Sequence, residues 1–121
     1  MKYRVYDTSV NKYVTDDYDW VIVPDGELYI NDFGDMTYLD KCIVEFSSGE
    51  VDKNGVEIFE GDIVSIPAHP RGRWNTAVYF ERGKFAVNGS NSVFKDLKSR
   101  AYKVVGTIHD SGIVVNKRLE K

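Results

Sequence analysis

The sequence predicts a mainly β protein: a small, strongly bent sheet or barrel with added N-terminal strands and one short helix. Three observations carry this. Short runs alternating apolar and polar at period two recur along the chain, they lie close together, and Asp-, Asn- and Gly-rich turns separate them. The 121 residues are 42% hydrophobic, 29% charged and 13% aromatic, which suits one folded domain over 1–121. Within it we distinguish N-terminal strands and an acidic segment over 1–41, a barrel-like part over 42–110 and a tail over 111–121.

The elements follow in order. Lys2-Tyr3-Arg4-Val5-Tyr6 alternates as a strand, and Asp7 to Lys12 supplies turn chemistry before Tyr13-Val14 returns. Trp20 to Val23 is apolar on both faces and stops at Pro24-Asp25-Gly26, after which Glu27 to Ile30 returns. Asn31 to Lys41 is acidic and aromatic with no clean period, and a loop and an irregular helical turn both fit it. Cys42 to Phe46 places Cys42, Val44 and Phe46 on one face. Asp52-Lys53-Asn54-Gly55 is a turn by its chemistry: Asp opens it and Gly takes the left-handed position that closes it.

Ile63 to Ile66 reads as a strand ended by Pro67, and Arg73 to Phe80 as one with Trp74, Thr76, Val78 and Phe80 facing one way. Arg82-Gly83 turns the chain into Lys84 to Val87. Ser92 to Ser99 is the expected helix, with Val93, Phe94 and Leu97 on one stripe. Tyr102 to Ile108 is a last strand.

Charge is divided unevenly. Sixteen basic and 19 acidic residues give a net charge of −3. Residues 1–61 hold 14 acids and 5 bases, whereas residues 62–121 hold 5 acids and 11 bases. Such asymmetry marks either a nucleic-acid surface or two patches that attract each other in an assembly. The single cysteine, Cys42, excludes an internal disulfide and a Cys-only zinc site. No apolar run follows the N-terminal charges and no stretch reaches membrane-spanning length, so we expect no signal peptide, no membrane and a reducing cytoplasm.

Candidate chemistry is sparse. Glu50, Asp52 and Asn54 followed by Gly55 resemble the start of a calcium loop, but Gly61 stands where the closing Glu belongs, and a hairpin turn explains the same residues. His69, His109 and Cys42 lack ligand spacing, and Cys42 reads as a small core residue. His109 and Asp110, adjacent in sequence, form no dyad by adjacency, and no phosphate loop or nucleophile elbow occurs. We therefore expect no catalytic residue, no metal and no cofactor.

Two function classes remain. Arg71, Arg73, Arg82, Lys84, Lys95, Lys98, Arg100 and Lys103 cluster with only Glu81 and Asp96 among them, as a nucleic-acid-binding barrel requires. The favoured class is a non-enzymatic interaction module that pairs strand edges with itself or another protein. Eight tyrosines suit that class, because Tyr joins apolar area to a polar tip.

The segment Asp52 to Val64, DKNGVEIFEGDIV, closely resembles the signature of the YopX family of bacteriophage and prophage proteins. The opening Lys2-Tyr3-Arg4-Val5-Tyr6-Asp7, the pair Ala77-Val78-Tyr79-Phe80 and Phe85-Ala86-Val87, and the closing Lys103 to Asp110 are similar to the family as well. Ser48-Gly49-Glu50-Val51 stands where the family has a Thr-Gly-Leu-like step, and His109-Asp110-Ser111-Gly112 replaces its aromatic, acidic, Pro-containing tail. The resemblance implies an SH3-like barrel that self-associates, a phage or prophage accessory role in the bacterial cytoplasm with a phage or host protein as partner, and no established activity. It makes Asp52, Asn54, Gly55, Glu60, Gly61 and Asp62 a structural motif. Physically, Gly61 permits a tight reversal, and Asp62 caps it as Ile63-Val64 enters a strand.

Overall fold

The computed structural model describes residues 2–15, 18–67, 72–81, 83–88, 94–97, 101–110 and 112, with the backbone alone at 94–96. The chain divides into two compact units, Met1–Phe46 and Ser47–Lys121. All regular structure among the described residues is β, so none of them forms a helix long and apolar enough to cross a membrane. The charge asymmetry follows the division: residues 1–46 contain ten acids and four bases, and residues 47–121 nine acids and twelve bases.

In the first unit, β1 (Tyr3–Asp7) pairs antiparallel with β2 (Lys12–Tyr13) on one side and with the start of β6 (Cys42–Val51) on the other. Beside this ladder is a meander of β3 (Trp20–Ile22), β4 (Leu28–Asp32) and β5 (Asp35–Tyr38), in that spatial order. Asn31 to Lys41, aperiodic in sequence, thus contains a strand, because Asp32 and Asp35 pair across a two-residue turn. Of the twelve buried hydrophobic residues among those described, only Val5, Tyr6 and Leu28 belong to this unit, so its apolar core is thin.

In the second unit, the rest of β6 pairs with β7 (Glu57–Phe59), while β13 (Lys103–Thr107), β8 (Asp62–Pro67) and β9 (Arg73–Ala77) form a three-stranded sheet. A second sheet consists of β10 (Tyr79–Glu81), β11 (Lys84–Asn88) and β12 (Phe94–Asp96). The run from Arg73 to Phe80 is therefore not one strand. At Val78 the chain leaves the first ladder: Val78 N–H donates to the Asp62 carbonyl at 2.8 Å, and its own carbonyl accepts Gly61 N–H at 2.9 Å. Phe80, expected on the buried face with Val78, lies outside this corner and is exposed.

Ile58, Val64, Ile66, Val78, Val87, Leu97 and Tyr102 converge in one core, with Trp74, Phe85 and Val104 packed against it. Side chains from both sheets and β7 fill one interior, as in a small curled half-barrel.

The expected helix over Ser92 to Ser99 is corrected. Residues 94–96 form β12 on the edge of β11, with Asn88 opposite Phe94 and Ala86 opposite Asp96. Eight residues are too few for a helix to nucleate without tertiary support, whereas pairing with β11 satisfies backbone groups directly. Residues 92, 93, 98 and 99 lie outside the described residues, as does the tail except Gly112.

Candidate functional site

The family motif forms two turns. Asp52 is buried, and its carboxylate accepts the N–H groups of Asn54 at 2.8 Å, Val56 at 2.9 Å and Val104 at 2.9 Å. Both of its oxygens are thus bonded to the backbone, an arrangement that holds three strands together. Gly55 adopts φ of +80°, and Lys53 N–H donates to the Tyr102 carbonyl, so the β6–β7 turn is tied to the start of β13. Burial alone would raise the Asp52 pKa, but the three amides and the nearby Lys103 outweigh it and hold the carboxyl below its usual range.

In the next turn Asp62, also buried, accepts Phe59 N–H at 2.8 Å, and Gly61 at φ +86° is bonded on both sides, to Val78 and to Ile108. Glu60, between them, is half-buried.

The proposed basic surface is partly described. Arg71, Arg82, Lys98 and Arg100 lie outside the described residues, as do His69 and the side chain of Lys95. The Arg73 guanidinium is engaged within its own sheet, donating to Ser65 Oγ at 2.7 Å, the Ser65 carbonyl at 2.5 Å and the Ala101 carbonyl at 3.0 Å. Lys84 is exposed opposite Glu81 in the β10–β11 hairpin, and Lys103 sits beside Asp52. The three described cations are therefore spread over separate strands, each near a competing acceptor or acid.

The first unit holds features that sequence reasoning missed. Glu45 is buried, and its Oε1 accepts Arg4 Nε at 2.8 Å and the Tyr13 hydroxyl at 2.9 Å, with the Arg4 guanidinium 4.6 Å from the Tyr13 ring centre. Alternation put Val44 and Phe46 on the inner face, yet both are only half-buried, and Glu45 and Ser47 are the more enclosed residues.

Between the two ladders of this unit opens a cleft of about 350 Å³. Tyr13, Tyr18, Trp20, Ile30 and Leu39 wall it, and Asp7, Lys12 and Cys42 line it with polar groups. Cys42 is therefore half-buried beside a cleft and not a core residue. Burial first, then Asp7 and Asp40, push its thiol pKa up and keep it protonated near neutrality.

The β4–β5 hairpin is the other exposed feature. Every residue of β5 is exposed, including Met36 and Tyr38, and the strand is one of the two outer strands of its sheet. At the hairpin tip Phe33 is 104% exposed with φ of +50°, followed by Gly34 at +91°. Two positive φ values in a two-residue loop make a type I′ turn, whose first position favours Asn or Asp over Phe. The strand was not legible in alternation, but the Asp-Phe-Gly-Asp turn was its available signal.

Fold and site together define a mainly β protein without a recognisable catalytic constellation among the described residues, bearing an aromatic cleft and an exposed strand edge. A family model described as "YopX protein" matches residues 2–113, and the chain belongs to the YopX family. The solved structure of yopX from Bacillus subtilis is similar, with a TM-score of 0.60 at 18% identity, over 88% of this chain and 91% of that one. Protein EF1440 from Enterococcus faecalis is also similar, with a TM-score of 0.56 at 27% identity, over 89% and 92%. No curated protein matches the sequence.

Proposed function

We propose that this chain is a non-enzymatic, self-associating protein-interaction module, an accessory protein of a phage or prophage acting in the host cytoplasm. The observation that carries the reading is β5: an outer strand exposed at all four residues, with Met36 49% and Tyr38 50% exposed. Exposed edges of folded proteins are commonly protected by charged side chains, Pro, a bulge or shortness. β5 is short and carries Asp35 at its start, but Met36, Thr37 and Tyr38 hold no charge, Pro or bulge. The thin core of the first unit supports the same reading, because a unit with three buried apolar residues among those described gains most from burying surface against a partner. The family's phage setting supports the accessory role.

The test is edge blocking. Met36→Pro removes a backbone donor that points away from β4, so the edge cannot extend a ladder there while the β4–β5 bonds are kept. If β5 carries association, this variant, checked for retained β signal by circular dichroism, runs smaller than wild type in gel filtration. An unchanged elution volume would count against the edge.

A further inference from the structure

The β4–β5 hairpin and the cleft have complementary shapes and chemistry, and both lie in the first unit. Phe33 is held out on a stiff turn: Gly34 N–H donates to Asn31 Oδ1 at 3.1 Å, and Asn31 N–H is itself bonded to the Asp19 carbonyl at 2.9 Å. An apolar ring with full exposure and a left-handed backbone gains nothing within the unit that holds it. The cleft offers about 350 Å³ between Tyr13, Tyr18, Trp20, Ile30 and Leu39. A cavity of about 150 Å³ is enough to hold benzene, so a phenyl ring fits with room for the turn behind it.

One local charge pair accompanies the shape. The tip flanks Phe33 with Asp32 and Asp35. The cleft carries Lys12, which is exposed and has no ion pair among the described residues. Asp7, opposite Lys12, also lines the cleft. Hydrogen bonds from Ser9 Oγ at 2.6 Å and Ser9 N at 2.9 Å hold its carboxyl below the usual range, so an incoming acid competes with it for Lys12.

We infer that Phe33 of one copy seats in the Tyr13–Trp20 cleft of a second copy, with Asp32 and Asp35 of the incoming tip against Lys12. This rests on the self-association proposed above and names its contact. Phe33 acts as the aromatic anchor, and the cleft as the pocket that desolvates it. A knob and a hole on one chain, used between copies, give a reciprocal pair or a closed ring.

The experiment uses the full chain with Trp74→Phe and Phe33→Asn, which leaves Trp20 as the only tryptophan and the cleft free of a neighbour's Phe33. A synthetic peptide of residues 29–38, YINDFGDMTY, is titrated while Trp20 emission is followed, and the Phe33→Asn peptide is titrated beside it. In parallel the mass of full-length Phe33→Asn is measured by light scattering. Asn suits a left-handed turn position, so this variant keeps the hairpin. The expected result is a saturable shift of Trp20 emission by the Phe peptide, about thirtyfold weaker binding by the Asn peptide, and a smaller mass for Phe33→Asn than for wild type. Lys12→Gln weakens the peptide's binding as well. If wild type and Phe33→Asn assemble alike and the two peptides act alike, the seat is wrong while self-association stands. If wild type is a monomer at every concentration, self-association itself fails, and the seat between copies with it.

Discussion

Asp52 and Val104, 52 positions apart in sequence, are joined by a 2.9 Å hydrogen bond from the Val104 amide to the Asp52 carboxylate. That bond links the β6–β7 turn, where the family motif begins, to β13, where the family resemblance ends. It explains why the motif is rich in turn residues yet requires no ligand. The carboxylate takes the place of missing ladder bonds at the point where three strands meet.

Replacing Asp52 with Ala strands the amides of Asn54, Val56 and Val104. We expect a loss of about 2–3 kcal/mol in urea unfolding. Asp52→Asn keeps one acceptor oxygen and loses less.

The same carboxylate sets a pH dependence. Its folded pKa lies below the unfolded value near 3.8, so its contribution is fully present above that value. As pH falls through the lower, folded pKa the contribution disappears. The stability gap between wild type and Asp52→Asn, followed by urea unfolding at a series of pH values, shrinks below about pH 4. A constant gap down to about pH 2 would contradict the assignment.

Glu45, buried, and Arg4, partly buried, form an ion pair at 2.8 Å. Removing Arg4 alone leaves the carboxylate enclosed without its counter-charge, and Arg4→Ala costs about 3 kcal/mol. The double variant Arg4→Met/Glu45→Met costs less than the sum of its two single variants. A double-mutant cycle by denaturant unfolding checks the non-additivity.

These contacts mark what was legible in sequence. The Asp52–Gly55 turn and the Glu60–Asp62 reversal were readable because their chemistry is local: a side chain bonds an amide two to four positions away, and a glycine accepts a positive φ. Residues 92–99 misled because helical spacing over so short a run says nothing about the open edge of β11. That Ser65 and the Ala101 carbonyl receive the Arg73 guanidinium was not legible, because composition does not encode contacts across strands. Glu45 was missed for a similar reason: alternation assigned its neighbours inward, and Arg4 opposite in the register together with the Tyr13 hydroxyl makes burial of a carboxylate tolerable. The cleft and the Phe33 knob arise from packing two ladders in the first unit, which no spacing encodes.

Cys42 provides a probe of the cleft. Its raised pKa makes thiol–disulfide exchange at about pH 8 slower than that of a free thiol, with the rate climbing with pH as the thiolate forms. Asp40→Asn removes one nearby negative charge and speeds the reaction. Peptide 29–38, seated in the cleft, protects the thiol. The readout is the rate of reaction with an aromatic disulfide.

Single- and double-stranded DNA and RNA separate the alternative reading. No saturable binding is expected at low salt. Binding that weakens with salt and with Lys84→Ala/Lys103→Ala would favour the basic strands instead. Arg73 is a poor probe, because Arg73→Ala also removes the bonds to Ser65 and Ala101 and lowers stability by about 1–3 kcal/mol.

Self-association has its plainest readout in the mass of the chain in solution. Light scattering coupled to gel filtration, run from micromolar to hundreds of micromolar and from low to high salt, is expected to give a multiple of 13.8 kDa. Apolar contact between units that both carry excess acid implies that the assembly persists or tightens as salt rises. A mass of 13.8 kDa at every concentration and every salt would contradict the account.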